Sequence, residues 1–173
     1  TNYDYGQLCT AWKPAKDGDR HFVRTGISHE GCALTANRIT LEAKDAHLTG
    51  VAYGGKANLV VQGNDTVIDG LECSHAYAEG NGACLRIEGR NVLLRHMHIY
   101  DEQMGILSGG PNGKIVIEDS VIENIGMPNS DLSHGVYVSE NKLGVADELD
   151  IRRSIIRNSR YEGHLVKSRA LRT

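Results

Sequence analysis

Large rings and proline are scarce in this chain, with one phenylalanine, one tryptophan and three prolines among 173 residues. Aromatic side chains fill much of a core of ordinary width, so their scarcity argues for a narrow one that Val, Ile, Leu and Ala can close. No apolar run approaches the roughly 20 residues that a membrane-crossing helix needs; Val92-Leu93-Leu94 and Ile115-Val116-Ile117 are among the longest. Neither sign of charge dominates, because the formal net charge is −3 and no basic tail or acidic run occurs. That balance argues against a nucleic-acid partner held by charge. The four cysteines include no C-x-x-C, which argues against a zinc ribbon or a thioredoxin-like motif.

Glycine is abundant, at 20 residues, and the length suits one domain over 1–173. Short apolar triplets followed by polar corners recur at Thr66-Val67-Ile68-Asp69-Gly70-Leu71, Asn91-Val92-Leu93-Leu94, Lys114-Ile115-Val116-Ile117 and Leu149-Asp150-Ile151. A second series begins at Gly82, Gly105, Gly135 and Gly163, spaced by 23, 30 and 28 residues. Strands of about 3 to 5 residues at a period in the twenties, with no helical periodicity, predict an all-β parallel solenoid, a right-handed parallel β-helix. Alternation then places Val92, Leu94, Ile99, Ile115, Ile117, Ile122, Ile151 and Ile156 inside and Arg95, Glu118 and Arg152 outside. It places His164 inside as well. Asn91, Asp119, Asn124 and Asn158 are the expected corners. Some six coils at about 4.8 Å make a rod of roughly 29 Å. Residues 1–37 fit the repeat poorly and are expected to form an amino-terminal cap or an irregular first coil, with regular coils over 38–173. Stretches 126–133 and 139–146 read as protruding loops. The repeat stops without a cap at Thr173, so a fragment of a longer solenoid or end-to-end packing with another copy is expected.

These repeats, together with Ser133-His134-Gly135-Val136-Tyr137 and Gly163-His164-Leu165-Val166-Lys167-Ser168-Arg169-Ala170, resemble the pectate-lyase-like superfamily of β-helix proteins, in particular bacterial exported members of unassigned activity. The resemblance runs from Leu59 to Ala170. It implies a secreted or periplasmic protein that binds or cleaves polysaccharide. Cys9 and Cys32, about one coil apart, and Cys73 and Cys84, flanking one turn, are candidates for disulfides or for buried thiols.

Registering the coils on their glycines puts Arg86, Ser139 and Lys167 at one outward position, with Tyr137 one outward step earlier, His134 just before Gly135, and Arg169 one step past Lys167. Such a wall suits an acidic polysaccharide: Arg86 offers a planar fork to a carboxylate, Ser139 and Arg169 add contacts, and Lys167, Tyr137 or His134 can move a proton. This is the chemistry of a uronan lyase, in which a neutralised carboxylate acidifies the neighbouring C–H. A non-catalytic binding or assembly module uses the same wall. A third reading compares Asp101-Glu102, His134 and Lys167-Ser168-Arg169 with polygalacturonase-like hydrolases, where two carboxyls flank one bond. No cofactor is expected, although Asp65, Asp69 and Glu72 are candidates for a calcium site. His96 and His98 form half of a metal-ligand pattern and read as surface residues.

Overall fold

Apolar residues at alternate positions give each strand one side to bury, and a tight corner after three or four residues turns the chain before the strand lengthens. The computed structural model describes residues 8–24, 26–80, 82–109, 113–129, 133–139 and 148–173. Three strands make a coil: β1 (Arg20–Phe22), β2 (Gly26–Ser28) and β3 (Cys32–Leu34), then β4 (Thr40–Glu42), β5 (Ala46–Thr49) and β6 (Ala57–Val61). The third coil holds β7 (Thr66–Asp69), β8 (Glu72–Ser74) and β9 (Ala83–Ile87), and the fourth β10 (Val92–Arg95), β11 (His98–Tyr100) and β12 (Met104–Ser108). The fifth holds β13 (Lys114–Glu118), β14 (Val121–Ile125) and β15 (Val136–Val138), and the sixth β16 (Glu148–Arg152), β17 (Ile155–Ser159) and β18 (Val166–Ser168). Each strand pairs in parallel with its counterpart in the next coil, giving three sheets of six strands. The architecture is a right-handed parallel β-helix.

Like side chains stack on like along the interior. Leu41, Ile68, Leu94, Ile117 and Ile151 form one column on the first sheet. Leu59, Leu85, Ile106 and Val136 form another on the third. Each such side chain, fully buried, contributes about 1.5–3 kcal/mol. Val92, Leu94, Ile99, Ile115, Ile117 and Ile122 are buried as expected, and Ile151 and Ile156 are half-buried on the sixth coil. On that coil Ile155 and Leu171 are exposed.

The corners are single left-handed residues repeated from coil to coil. Between the first and second sheets the column is Gly70, His96, Asp119 and Arg153; between the second and third it is His75, Asp101, Asn124 and Asn158, all with positive φ. Asn, Asp and Gly tolerate this conformation best. Asn91 also has a positive φ, so all four corners read from the sequence turn the chain this way.

Helix α1 (Leu8–Trp12) covers the first coil, with Leu8 and Trp12 buried. Glu30 of that coil accepts the Leu8 and Cys9 backbone N–H groups at 2.9 and 3.2 Å, and the Cys9–Cys32 disulfide ties the helix down. Residues 1–37 thus contain both this helix and a full coil from Arg20. The second disulfide joins Cys73 on β8 to Cys84 on β9 through the interior. Within the expected loops, residues 130–132 and 140–146 lie outside the described residues.

Asn124→Ala is expected to cost about 1 kcal/mol, because it forces a Cβ-bearing residue without a local acceptor into the left-handed region, whereas Asn124→Gly costs less. Chemical denaturation of both variants checks the order. Replacing Cys73 and Cys84 by alanine together is expected to remove about 3 kcal/mol, the loop-closure contribution of a short loop; an unchanged unfolding midpoint would show that the bond does not constrain the unfolded chain.

Candidate functional site

The third sheet carries a row of outward side chains set by the ladder register: Val60, Arg86, Leu107, Tyr137 and Lys167 occupy successive coils. Tyr137 therefore shares its rung position with Arg86 and Lys167, and Ser139 lies two residues further along. The glycines of the repeat are not all counterparts: the pairing of Ala83 with Met104 puts Gly82 opposite Gln103 and not Gly105. Gly163 stands beside Ser133, where a side chain would collide with the Ser133 carbonyl, and is not the counterpart of Gly135. The pairing of Val136 with Val166 puts Gly135 opposite Leu165.

The same feature corrects His164, which is exposed and not inward. Alternation slips at the start of the third-sheet strands, since Met104 and Leu107 both pack in a cluster on the outer side while Ile106 joins the core. The slip falls at Gly105 and Gly135. A Cβ on Gly105 would collide with the Gly135 carbonyl, and one on Gly135 would come within 2.6 Å of the Leu165 carbonyl. Rungs this close leave room only for glycine.

A groove of about 430 Å³ opens on this wall, and its lining includes Arg86, His134, Tyr137, Ser139, Lys167 and Arg169. All six residues proposed from the sequence are brought together. Sequence reasoning missed the floor: Ala57, Val60, Ala83, Met104 and Leu107 form a small apolar cluster outside the main core, with Tyr137 packed against it. The signal was present in Gly105-Ile106-Leu107-Ser108, where alternation turns Leu107 outward.

Lys167 Nζ lies 5.0 Å from the centre of the Tyr137 ring. That ring meets His134 edge-on at 5.4 Å, and His134 in turn meets His164 at 5.1 Å. His134 is 2 % exposed, and its Nδ1 accepts the His164 backbone N–H at 3.1 Å. The ring proton therefore sits on Nε2. Burial, reinforced by the Lys167 ammonium and by His164, pushes the His134 pKa down to about 4. His134 is consequently a neutral hydrogen-bond donor at Nε2, and with Nδ1 engaged it has no free lone pair for taking a proton.

Arg86 lies across Gly109, where any Cβ would strike the guanidinium. Its Nε is buried without a hydrogen-bond partner, and the Glu88 carboxylate lies 4.0 Å from it. Ser139 donates its N–H to Ser108 Oγ at 3.0 Å and its hydroxyl to the Ser108 carbonyl at 3.2 Å, which fixes that rim. Among the described lining residues there is no carboxylate.

The carboxyl pair falls elsewhere. Asp101 is ion-paired with Arg160 at the corner. Glu102 is fully buried, accepts the Ala76 N–H at 2.6 Å through Oε2, and leaves Oε1 without a partner; burial raises its pKa well above the usual carboxylate range. The calcium candidates are dispersed too: Asp65 holds Asn91, Asp69 holds Arg95 and His96, and Glu72 holds His98. Among the described residues no set of three or more His, Cys, Asp or Glu is placed to hold a metal ion. No family model, curated protein or solved structure matches the chain.

Two opposed pH dependences follow. The folded-state pKa of His134 lies below the ordinary 6.5, so its contribution to stability is full above that value and is lost as pH falls toward about 4. His134→Gln is expected to remove an acid-side loss on the order of 2–3 kcal/mol. Glu102 has a raised folded-state pKa, so its contribution is full below the ordinary 4.5 and is lost as pH rises through the folded value. Glu102→Gln should therefore flatten the alkaline side. Urea midpoints across pH for the three proteins test both signs.

Proposed function

We propose that the groove on the third sheet binds an acidic polysaccharide and cleaves it by β-elimination. The observation that carries this reading is Arg86, a guanidinium whose buried Nε makes no hydrogen bond, held across a groove that also presents the Lys167 ammonium and the Tyr137 phenol. A carboxylated sugar supplies the missing acceptor as a planar pair of oxygens. Neutralising that carboxylate makes the adjacent C5–H of a uronate acidic. A base takes the proton, its electron pair forms the C4–C5 double bond, and the C4–O bond breaks with the leaving oxygen protonated by a second group. Lys167 and Tyr137 are the groups assigned to these two transfers, and the His134 Nε2–H steadies a sugar hydroxyl. Ser139 and Arg169 frame the far end of the groove.

The resemblance to pectate-lyase-like proteins supports this reaction class, and two disulfides support an oxidising compartment, secreted or periplasmic. A hydrolase is less well supported, because Asp101 and Glu102 do not flank a common bond in the groove. A non-catalytic binding module remains the alternative on the same residues.

Incubation with pectate, alginate and glycosaminoglycans separates the readings: ultraviolet absorbance of unsaturated ends marks a lyase, reducing ends without it mark a hydrolase, and binding alone marks a module. For a lyase, Lys167→Ala and Tyr137→Phe, checked for intact folding by circular dichroism, are expected to lower kcat by about 100-fold or more. Normal rates in both would remove the assignment. Arg86→Lys, which keeps the charge and loses the fork, is expected to raise KM about tenfold.

A further inference from the structure

The second sheet presents a different wall, with a groove of about 610 Å³. Its outward row is Ile27, His47, Glu72 and His98 on successive coils, with Tyr100 two residues beyond His98. Three rings form one array: Tyr100 lies 4.6 Å from His98 and 5.6 Å from His47, tilted by 34° and 42°. Their orientations are fixed. His98 bridges Glu72 at 3.3 Å and Glu123 at 3.1 Å, and His47 Nε2 meets Ser74 Oγ at 2.8 Å, which leaves Nδ1 for a ligand.

Charge distinguishes this wall from the third-sheet groove. Here the lining carries Lys44 against Asp45 and Glu72, so no cationic excess draws an anion, and the two carboxylates supply acceptors. No metal-holding set exists among the described residues. A fixed array of rings bordered by carboxylates matches the two faces of a pyranose, whose axial C–H groups are apolar and whose equatorial hydroxyls need acceptors. Rings already locked by hydrogen bonds lose little rotamer freedom on binding.

We propose that the His47, Tyr100 and His98 wall is a second carbohydrate site, selective for uncharged sugar units and independent of the groove that holds Arg86 and Lys167. The protein then engages an uncharged glycan segment on one wall whether or not the other wall is catalytic.

Isothermal titration of the intact chain with cellohexaose, mannohexaose and maltohexaose, and with hexagalacturonate as the charged control, tests this. At least one uncharged hexasaccharide is expected to bind, with Kd raised tenfold or more in Tyr100→Ala and in His47→Ala and unchanged in Lys167→Ala. Chemical-shift mapping on the unmutated protein guards against a variant that fails to fold, and should place the perturbed amides on β5, β8 and β11. Absence of binding by all three uncharged sugars, or binding that survives Tyr100→Ala and vanishes in Lys167→Ala, overturns the proposal. Failure of hexagalacturonate alone to bind counts against the third-sheet reading and leaves this one supported if an uncharged sugar binds.

Discussion

Rung-to-rung hydrogen bonding between parallel strands is the constraint on which the molecule depends. It fixes which residue of one coil stands above which residue of the next, at about 4.8 Å, and so turns short sequence segments into columns. A slip of one residue in a single coil would turn its aliphatic residues to solvent and its charges to the interior. Two devices hold the register. The interior columns, such as Leu41 to Ile151, lose buried area if any member shifts, and the left-handed corners admit only a residue that tolerates positive φ at one defined position.

Corners and interior were legible in the sequence for this reason. Asn91, Asp119, Asn124 and Asn158 mark turns because their short side chains suit the left-handed region, and the aliphatic pattern between them has the period of a strand. Glycine was less legible because it serves two purposes. At Gly70 it turns a corner; at Gly105 and Gly135, neither with a positive φ, it lets neighbouring rungs approach. Treating Gly82 and Gly163 as further members of that series displaced the register by two residues at each. An even displacement preserves the inside and outside of a strand, so Arg86, Tyr137 and Lys167 stayed on the outer wall although their rungs were misassigned. His164 did not, because it precedes the slip that no periodic pattern anticipates. The apolar floor escaped notice because outward Leu107 and Met104 break the rule that outer residues are polar.

Stacking in register also sets the electrostatics of each wall. On the first sheet, Glu42, Asp69, Arg95, Glu118 and Arg152 share one outward row, and opposite charges meet across a rung where Arg95 contacts Asp69 at 2.9 Å. Like charges on adjacent rungs would repel by about 3.5 kcal/mol at an effective dielectric of about 20. That wall carries one such step, Glu42 beside Asp69, and answers it with a cation on each, Arg20 on Glu42 and Arg95 on Asp69.

The third sheet answers it by spacing. Leu107 and Tyr137 separate Arg86 from Lys167, so the two cations stand three rung spacings of about 4.8 Å apart and their repulsion falls to about 1 kcal/mol. Cations held apart in this way face a groove whose described lining has no carboxylate, and Glu88 approaches Arg86 only to 4.0 Å. A small anion could satisfy only one of them. The separation therefore favours a ligand whose negative charges recur along its length, and the apolar floor between the cations meets the uncharged faces that such a chain presents between its carboxylates. A polyuronate has this alternation of charged edge and apolar face, so the wall's charge pattern and its floor both support the ligand class we propose.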